Sequence, residues 1–207
     1  MDGILQSRTM IRYFKLYPDG KPCSIRKLEK KLGFRYLSQN IFEQKSEVYL
    51  LGIKAKVGMG QRELGDRYIE QIREAYIPDV SIRNLGGGVG YGLFAEEGVA
   101  CGDYVGEYTG LVRKNDRRYC SPVNNYCYEY PVLDQLGRNY VIDATQGNLT
   151  RFINHSYQPN LKPVYAYCEG YFHLIFLSLR DIQQGEQLCY DYGREYWYVR
   201  QPPEPLS

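Results

Sequence analysis

The sequence lacks several features that would assign it to whole classes of protein. No apolar run approaches the ~20 residues that a membrane-spanning helix needs, so we expect no membrane partner. The first ten residues lack a basic stretch followed by an apolar core, so we expect no secretory signal peptide. The six cysteines include no Cys-x-x-Cys pair, and there are only two histidines. We therefore expect free thiols in a reducing compartment and no structural zinc site.

Charge and tyrosine are distributed unevenly along the 207 residues. Residues 1–80 contain 15 Lys and Arg against 10 Asp and Glu, whereas residues 81–207 contain 11 against 14. The acidic later part disfavours direct nucleic-acid binding and suits a basic partner. Of the 22 tyrosines, 16 follow residue 80. This density predicts strands and an aromatic-lined cleft rather than a helical bundle.

The first 78 residues read as a partly helical α/β region. Ser24 as N-cap and Gly33 as a stop predict a helix over 25–32, and a second amphipathic pattern predicts a helix over 62–76 that ends before Pro78. Between them, residues 48–56 are predicted to be a strand. The basic side chains of the first helix form its solvated face or a docking patch, and the solvated face is the favoured interpretation: Arg26, Lys27, Lys30 and Lys31.

After Pro78, short apolar runs alternate with turns. The runs are residues 80–83, 91–95, 104–108, 126–132, 140–142, 172–178 and 187–190. No long helical pattern interrupts them. We therefore predict a mainly β domain with some helix, not a doubly wound α/β fold.

The glycine-rich loop at residues 86–92 does not have the spacing of a nucleotide-binding loop. Both GxGxxG from Gly88 and GxxxxGK from Gly87 are broken at Leu93. A flexible hairpin loop remains one interpretation. The other is a turn, Gly90-Tyr91-Gly92, whose missing side chains let a ligand approach the backbone.

Two further segments stand out. Residues 151–160 read RFINHSYQPN, and residues 185–193 read GEQLCYDYG, followed by Tyr196, Trp197 and Tyr198. His155 alone would be explained as a core histidine, and dense aromatics alone as core or interface. A hydrolase is a poor alternative because there is no GxSxG motif.

Taken in order, these segments resemble the SET-domain protein lysine methyltransferases. GYGLFA at 90–95 is similar to the opening motif, GEYTG at 106–110 to the second strand motif, and YVIDA at 140–144 precedes RFINHSxxPN at 151–160. The motif YDYG at 190–193 completes the set. The resemblance extends from about Val80 to Tyr198.

The sequence departs from many nuclear members of that family in its metal ligands. Tyr157 stands where those members have a zinc-binding cysteine, and residues 200–207 contain no cysteine. The chain is therefore most similar to compact members without zinc-binding flanks, such as the chlamydial SET proteins. Tyr196, Trp197 and Tyr198 are expected to close the cleft instead.

The resemblance implies a SET-domain fold of several small curved sheets with a C-terminal pseudoknot over 79–198, followed by a tail at 199–207. It implies transfer of a methyl group from S-adenosylmethionine to a lysine amine without a metal, with S-adenosylhomocysteine as product. The implied cofactor-binding residues are Gly90, Tyr91, Gly92, Arg151, Asn154, His155 and Trp197. The implied catalytic residues are Tyr192, Tyr108 and Tyr126, and the lysine channel consists of Tyr108, Tyr126, Tyr190, Tyr192 and Trp197, with Tyr128 dependent on strand register.

In the family, the residue two positions before the catalytic tyrosine tunes how many methyl groups are added. A tyrosine there, Tyr190, implies mainly monomethylation. The implied substrate is a basic lysine-rich protein, either a histone or a bacterial histone-like protein, and homodimer formation stays open. A bacterial enzyme would be cytoplasmic or an effector exported to a host nucleus. The alternatives are a non-catalytic SET module that binds lysine-rich peptides and a structural protein whose aromatics form only a core.

Overall fold

The computed structural model describes residues 13–16, 21–86, 89–115, 124–198 and 200. The helices are α1 (Ile25–Leu32), α2 (Lys45–Lys54), α3 (Met59–Arg73) and α4 (Arg194–Trp197), with a short 3-10 helix at Leu149–Phe152. The strands are β1 (Tyr13–Leu16), β2 (Lys21–Ser24), β3 (Ile41–Phe42), β4 (Val80–Gly86), β5 (Gly90–Ala95), β6 (Tyr104–Glu107), β7 (Leu111–Lys114), β8 (Cys127–Leu133), β9 (Asn139–Asp143), β10 (Asn154–His155), β11 (Leu161–Cys168), β12 (Tyr171–Ser178) and β13 (Cys189–Tyr190).

These strands form three small mixed sheets, as the predicted mainly β fold requires. Their strand orders are β2-β1-β4-β5, β10-β13-β11-β12-β6 and β3-β7-β9-β8. Strands β1 and β3 come from the N-terminal region, and they pair in parallel with β4 and β7 respectively. The division at residue 78 remains a prediction, but strands from both sides of it share two of the sheets.

Segment 186–190 is held on two sides by distant parts of the chain. On one side Leu188 donates its N–H to the carbonyl of Leu93 in β5. On the other, β13 pairs in parallel with β10, so that His155 lies opposite Tyr190. The side chain of Asn160 accepts the N–H of Cys189 at 2.9 Å and donates to the carbonyl of Gln187 at 2.8 Å. This arrangement brings the motifs at 90–95, 151–160 and 185–193 together.

Helices α2 and α3 pack on the hairpin formed by β11 and β12 through glycines. A Cβ atom at Gly52 would lie 2.2 Å from the carbonyl oxygen of Gly170, and one at Gly65 would lie 2.0 Å from that of Tyr167. Both distances are far below van der Waals contact, so the close approach requires glycine at both positions. Val48 and Tyr68 are buried on the same two helices.

The predicted strand at 48–56 is wrong, because residues 45–54 form helix α2. The other two helix predictions are confirmed, the first with the predicted bounds and the second with shifted ends. Helix α1 has Ser24 at its N-cap and the left-handed Gly33 (φ +69°) at its C-cap. Helix α3 begins three residues earlier than predicted and ends at Arg73, well before Pro78, because Ala75 adopts a left-handed conformation (φ +50°). The four basic side chains of α1 are exposed, as expected of a solvated face.

Candidate active site

Two neighbouring cavities adjoin β13 and α4, the first on the side of β5 and β10 and the second on the side of β8 and β9. The first has a volume of about 560 Å³ and the second about 480 Å³. Five residues line both cavities and form the wall between them: Tyr108, Asn125, Tyr190, Tyr192 and Tyr196. The site is therefore two compartments separated by a mainly tyrosine partition.

The first cavity is bordered by the glycine turn and by β10. Gly90 has a left-handed φ of +83°, which favours glycine. A Cβ atom at Gly92 would lie 2.8 Å from Nε2 of Gln187 and 3.2 Å from Nδ2 of Asn154. Asn154 in turn donates to the carbonyl of Tyr91 at 3.1 Å. The side chain of Asn154 thus fixes the spacing between β5 and β10 at the cavity edge. Gly87 and Gly88 of the same loop lie outside the described residues.

His155 is held as a neutral ring with one donor left over. Burial lowers its pKa, although the nearby Asp191 carboxylate opposes this shift. The backbone N–H of Tyr192 donates to Nδ1 at 3.2 Å, so the neutral ring carries its proton on Nε2. Both Nε2 of His155 and Nε1 of Trp197 are buried without a hydrogen-bond partner among the described residues, and the two rings lie 4.9 Å apart. Two adjacent orphaned donors suit a ligand that brings hydrogen-bond acceptors.

Tyr192 stands at the centre of the aromatic cluster. Its hydroxyl donates to the carbonyl of Ile153 at 2.9 Å, and its ring stacks on Trp197 with an interplanar angle of 12°. The rings of Tyr190 and Tyr196 each lie 4.6 Å from it. Burial raises the pKa of Tyr192, and it does the same for Tyr108 and Tyr190. All three hydroxyls are therefore neutral near pH 7.

Arg151 is engaged mainly with protein groups. Its Nε donates to the carbonyl of Ala144 at 2.8 Å, and its guanidinium lies 4.1 Å from the ring centre of Tyr126 and 4.7 Å from that of Phe34. Burial lowers its pKa, opposed by nearby tyrosines. Arg151 also borders the first cavity, and its contact with a cofactor there remains a prediction.

The structure brings the predicted site residues together but distributes them between the compartments. Six of the seven predicted cofactor residues line the first cavity, and the seventh, Gly92, is buried directly behind it. Of the predicted channel residues, Tyr108, Tyr190 and Tyr192 border both cavities, whereas Tyr126 and Trp197 border only the first. Tyr128 lines the second cavity. Tyr198 lines neither and is 75% exposed, so two of the three aromatics expected to close the cleft, Tyr196 and Trp197, border it and the third does not.

Sequence reasoning missed several residues that shape the site. Asn125 lies in the wall between the cavities, Phe34 packs on Arg151 from the N-terminal region, and Arg200 borders the second cavity. None of them belongs to a motif in this sequence. Only the fold brings them to the site. Arg200 contacts a residue 75 positions earlier in the chain, and Phe34 contacts Arg151, 117 positions later.

The described part of the chain has neither a group of side chains placed to bind a metal ion nor a helix able to span a membrane. It contains no cluster of three or more His, Cys, Asp or Glu side chains placed to hold a metal ion. All five cysteines within those ranges are free thiols, and Cys120 lies outside them. Among the helices described, none is long and apolar enough to cross a membrane.

Comparison with known proteins identifies the family to which this arrangement belongs. The SET domain profile matches residues 90–193, half of the chain. The protein therefore belongs to the SET-domain family, and the resemblance stated from its motifs is confirmed. Its small mixed sheets also match a solved structure, that of ATXR5 in complex with histone H3.1 mono-methylated on R26. The TM-score is 0.62 at 16% identity, and the match covers 81% of this chain and 85% of the other.

Two curated relatives show how far the sequence likeness extends. One is a histone-lysine N-methyltransferase EZH2 from Chaetomium thermophilum, 36% identical over 52% of this chain. The other is an N-lysine methyltransferase KMT5A-A from Danio rerio, 39% identical over 51%. The matched segments make up only 8% and 33% of these relatives. The likeness therefore concerns the domain and not the whole of either relative.

Proposed function

We propose that the protein is an S-adenosylmethionine-dependent protein-lysine N-methyltransferase that acts on a lysine-rich basic protein, a histone or a bacterial histone-like protein. The observation that carries the proposal is the pair of cavities separated by Tyr108, Tyr190 and Tyr192. A methyl donor and a lysine side chain can then meet at the wall from opposite sides. The relatives named above, which are lysine methyltransferases by name, support the same reaction class.

The first cavity suits the cofactor. Gly90 lines this cavity without a side chain, and the orphaned donors of His155 and Trp197 point to a ligand with acceptors. Gly90, Tyr91, Asn154, His155 and Trp197 would hold it, with Arg151 at the border. S-adenosylmethionine, when bound, supplies a methyl group activated by a sulfonium.

The second cavity suits the substrate peptide. Its lining includes the carboxylates of Glu129 and Glu195, which favour a basic segment. Tyrosine rings around the entrance attract a cationic lysine, and the buried partition then favours the neutral amine, because burial disfavours the ammonium form. Since free lysine has a pKa near ~10.4, this desolvation is needed for attack at neutral pH.

The tyrosines of the partition orient and desolvate the amine and do not act as a base. The raised pKa values of Tyr108, Tyr190 and Tyr192 leave no ionised hydroxyl in the partition. The lysine therefore loses its proton on the side of the second cavity, before the amine enters the partition. Tyr192 fixes the position of the reacting groups, because its hydroxyl is itself fixed by the carbonyl of Ile153.

The test is transfer of radiolabelled methyl groups to purified histones and to a bacterial histone-like protein. Tyr192→Phe should retain binding of S-adenosylhomocysteine and lose transfer by about 10²-fold, the loss typical of misplaced reacting groups. Tyr198→Phe is the matched control, because Tyr198 lies outside both cavities, and it should behave as the unmodified protein. Cofactor binding without any transfer would instead support the non-catalytic peptide-binding module. No cofactor binding at all would refute both.

A further inference from the structure

Helix α4 covers the first cavity, although a helix this short has little stability of its own. It is a single turn of four residues and has no buried residue. Helices this short are unstable alone in water, since few hydrogen bonds offset the entropy lost on ordering. Tyr196 and Trp197 of α4 nevertheless line the cavity. Contacts beyond the helix must hold them in place.

Arg200 supplies such contacts. The N–H of Arg200 donates to the carbonyl of Trp197, which continues the turn beyond α4. Its guanidinium then makes three hydrogen bonds: Nε to Oδ1 of Asn125 at 2.9 Å, Nη1 to the carbonyl of Tyr196 at 2.8 Å, and Nη2 to the carbonyl of Asn124 at 3.0 Å. The same group lies 4.0 Å from the ring centre of Tyr196.

We infer that Arg200 is a positioning residue that ties α4 to residues 124 and 125 and so keeps Tyr196 and Trp197 over the first cavity. The inference rests on the proposed function in that the covered cavity is the one assigned to the cofactor. Asn125 and Tyr196 also belong to the wall between the cavities, so the tie fixes one side of that wall.

The three acceptors are neutral oxygens that surround a planar donor, which makes the site specific for arginine. Lysine has a compact ammonium and cannot present three donors in one plane while stacking on a ring. A Lys side chain would therefore keep the positive charge but lose most of the hydrogen bonds that hold α4. Simple charge attraction, in contrast, would be preserved by lysine.

The experiment uses Trp197, the only tryptophan of the chain, as a reporter inside the site. Acrylamide quenching of its fluorescence without ligand measures how well it is covered, and fluorescence titration with S-adenosylhomocysteine measures affinity. The variants are Arg200→Ala, Arg200→Lys and Asn125→Ala. The matched control is Arg194→Ala, because Arg194 is exposed on α4 and its side chain makes no hydrogen bond or ion pair with the described residues.

Arg200→Ala should raise the quenching constant at least ~2-fold and weaken S-adenosylhomocysteine binding ~10-fold, the scale expected when hydrogen bonds to a charged group are lost. Arg200→Lys should resemble Arg200→Ala, Asn125→Ala should shift both values ~3-fold, and Arg194→Ala should leave both unchanged. Restoration of both values by Arg200→Lys would overturn the inference in favour of a plain charge effect.

Quenching and affinity that stay within ~2-fold in Arg200→Ala would also overturn it. If Arg200→Ala fails to fold, Asn125→Ala decides, since it removes one acceptor and keeps the arginine. If the unmodified protein binds no S-adenosylhomocysteine, the proposed function fails, but the quenching series still decides whether Arg200 holds α4.

Discussion

The side chain of Tyr190 lies between the two cavities, and it differs from that of phenylalanine only by its hydroxyl group. The ring of Tyr190 is buried and lies 5.1 Å from that of Phe176 and 4.6 Å from that of Tyr192. Burial raises the pKa of Tyr190, so its hydroxyl stays neutral, and under the proposed function it would hold a water molecule beside the substrate amine. An added methyl group on the lysine would have to displace that water, at a cost in affinity.

We therefore predict mainly monomethylation by the unmodified protein. Tyr190→Phe should raise the dimethylated and trimethylated fractions several-fold with at most ~5-fold loss in the first transfer, since losing one anchored water changes affinity by only ~1 kcal/mol. Mass spectrometry of a lysine peptide after exhaustive reaction measures the product states. Tyr198→Phe is the control and should keep the monomethyl product. Predominant trimethylation by the unmodified protein would contradict the assignment.

At the scale of elements, the sequence predicts strands well where short apolar runs lie between turns. The predicted runs 80–83, 91–95 and 172–178 lie within the strands β4, β5 and β12. Helix α2 was missed because its contact side consists of Val48 and Gly52, four residues apart, and a glycine adds nothing to an apolar pattern. Among its other apolar residues, Leu50 and Ile53 are about half exposed, so the apolar run from Val48 to Ile53 is typical of a strand rather than of a one-sided helix.

Strand β11 was missed for a different reason. It contains Pro163, which removes a hydrogen-bond donor and argues against a central strand. In the structure, β13 pairs with β11 only at Leu161. Pro163 therefore needs no hydrogen bond to β13, and the strand tolerates it.

The candidate site itself was largely predictable because its residues lie in contiguous motifs. Asn125 and Arg200 were not, because long-range folding alone brings them there.

For two glycines of α3, we predict opposite effects of substitution by alanine on the stability of the protein. A Cβ atom at Gly65 would lie 2.0 Å from the carbonyl oxygen of Tyr167, whereas one at Gly60 meets nothing within 4 Å. Gly65→Ala should therefore destabilise the protein by ~2–3 kcal/mol through overpacking. Gly60→Ala is the control and should stabilise it by up to ~1 kcal/mol, because alanine favours helix. Urea unfolding measures both, and equal effects would show that α3 does not dock on β11 as described.

At the scale of the whole molecule, one buried ion pair joins three separate parts of the chain. Nδ1 of His173 in β12 lies 2.8 Å from Oε1 of Glu107 in β6, and Asn40, just before β3, donates to the same oxygen at 2.9 Å. Glu107 is almost fully buried. Lys45, Arg73 and Glu169 line the cavity of about 460 Å³ beside this pair. Asn40 of the N-terminal region and the sheet that contains β6 and β12 are thus linked through an ion pair, and the charge of His173 in that pair depends on pH.

Burial disfavours the charged form of His173, but Glu107, with a further contribution from Cys168, prevails and raises its pKa to about 10. The ordinary histidine pKa in the unfolded chain is ~6.5. The folded state therefore binds the proton more tightly, so this pair contributes fully to stability below pH ~6.5. The contribution falls as pH rises from there, and it is lost above pH 10.

His173→Gln should accordingly lower the free energy of unfolding by roughly 3 kcal/mol at pH 6, as expected for breaking a buried pair, and by much less near pH 10. Urea titrations at both pH values measure the difference. NMR titration offers a direct check, because the chain has only two histidines and burial lowers the pKa of the other, His155. One imidazole should titrate near pH 10 and one below pH 6.5. Two resonances that both titrate near pH 6.5, with an equal loss of stability at pH 6 and pH 10, would show that Glu107 and His173 do not form a charged pair.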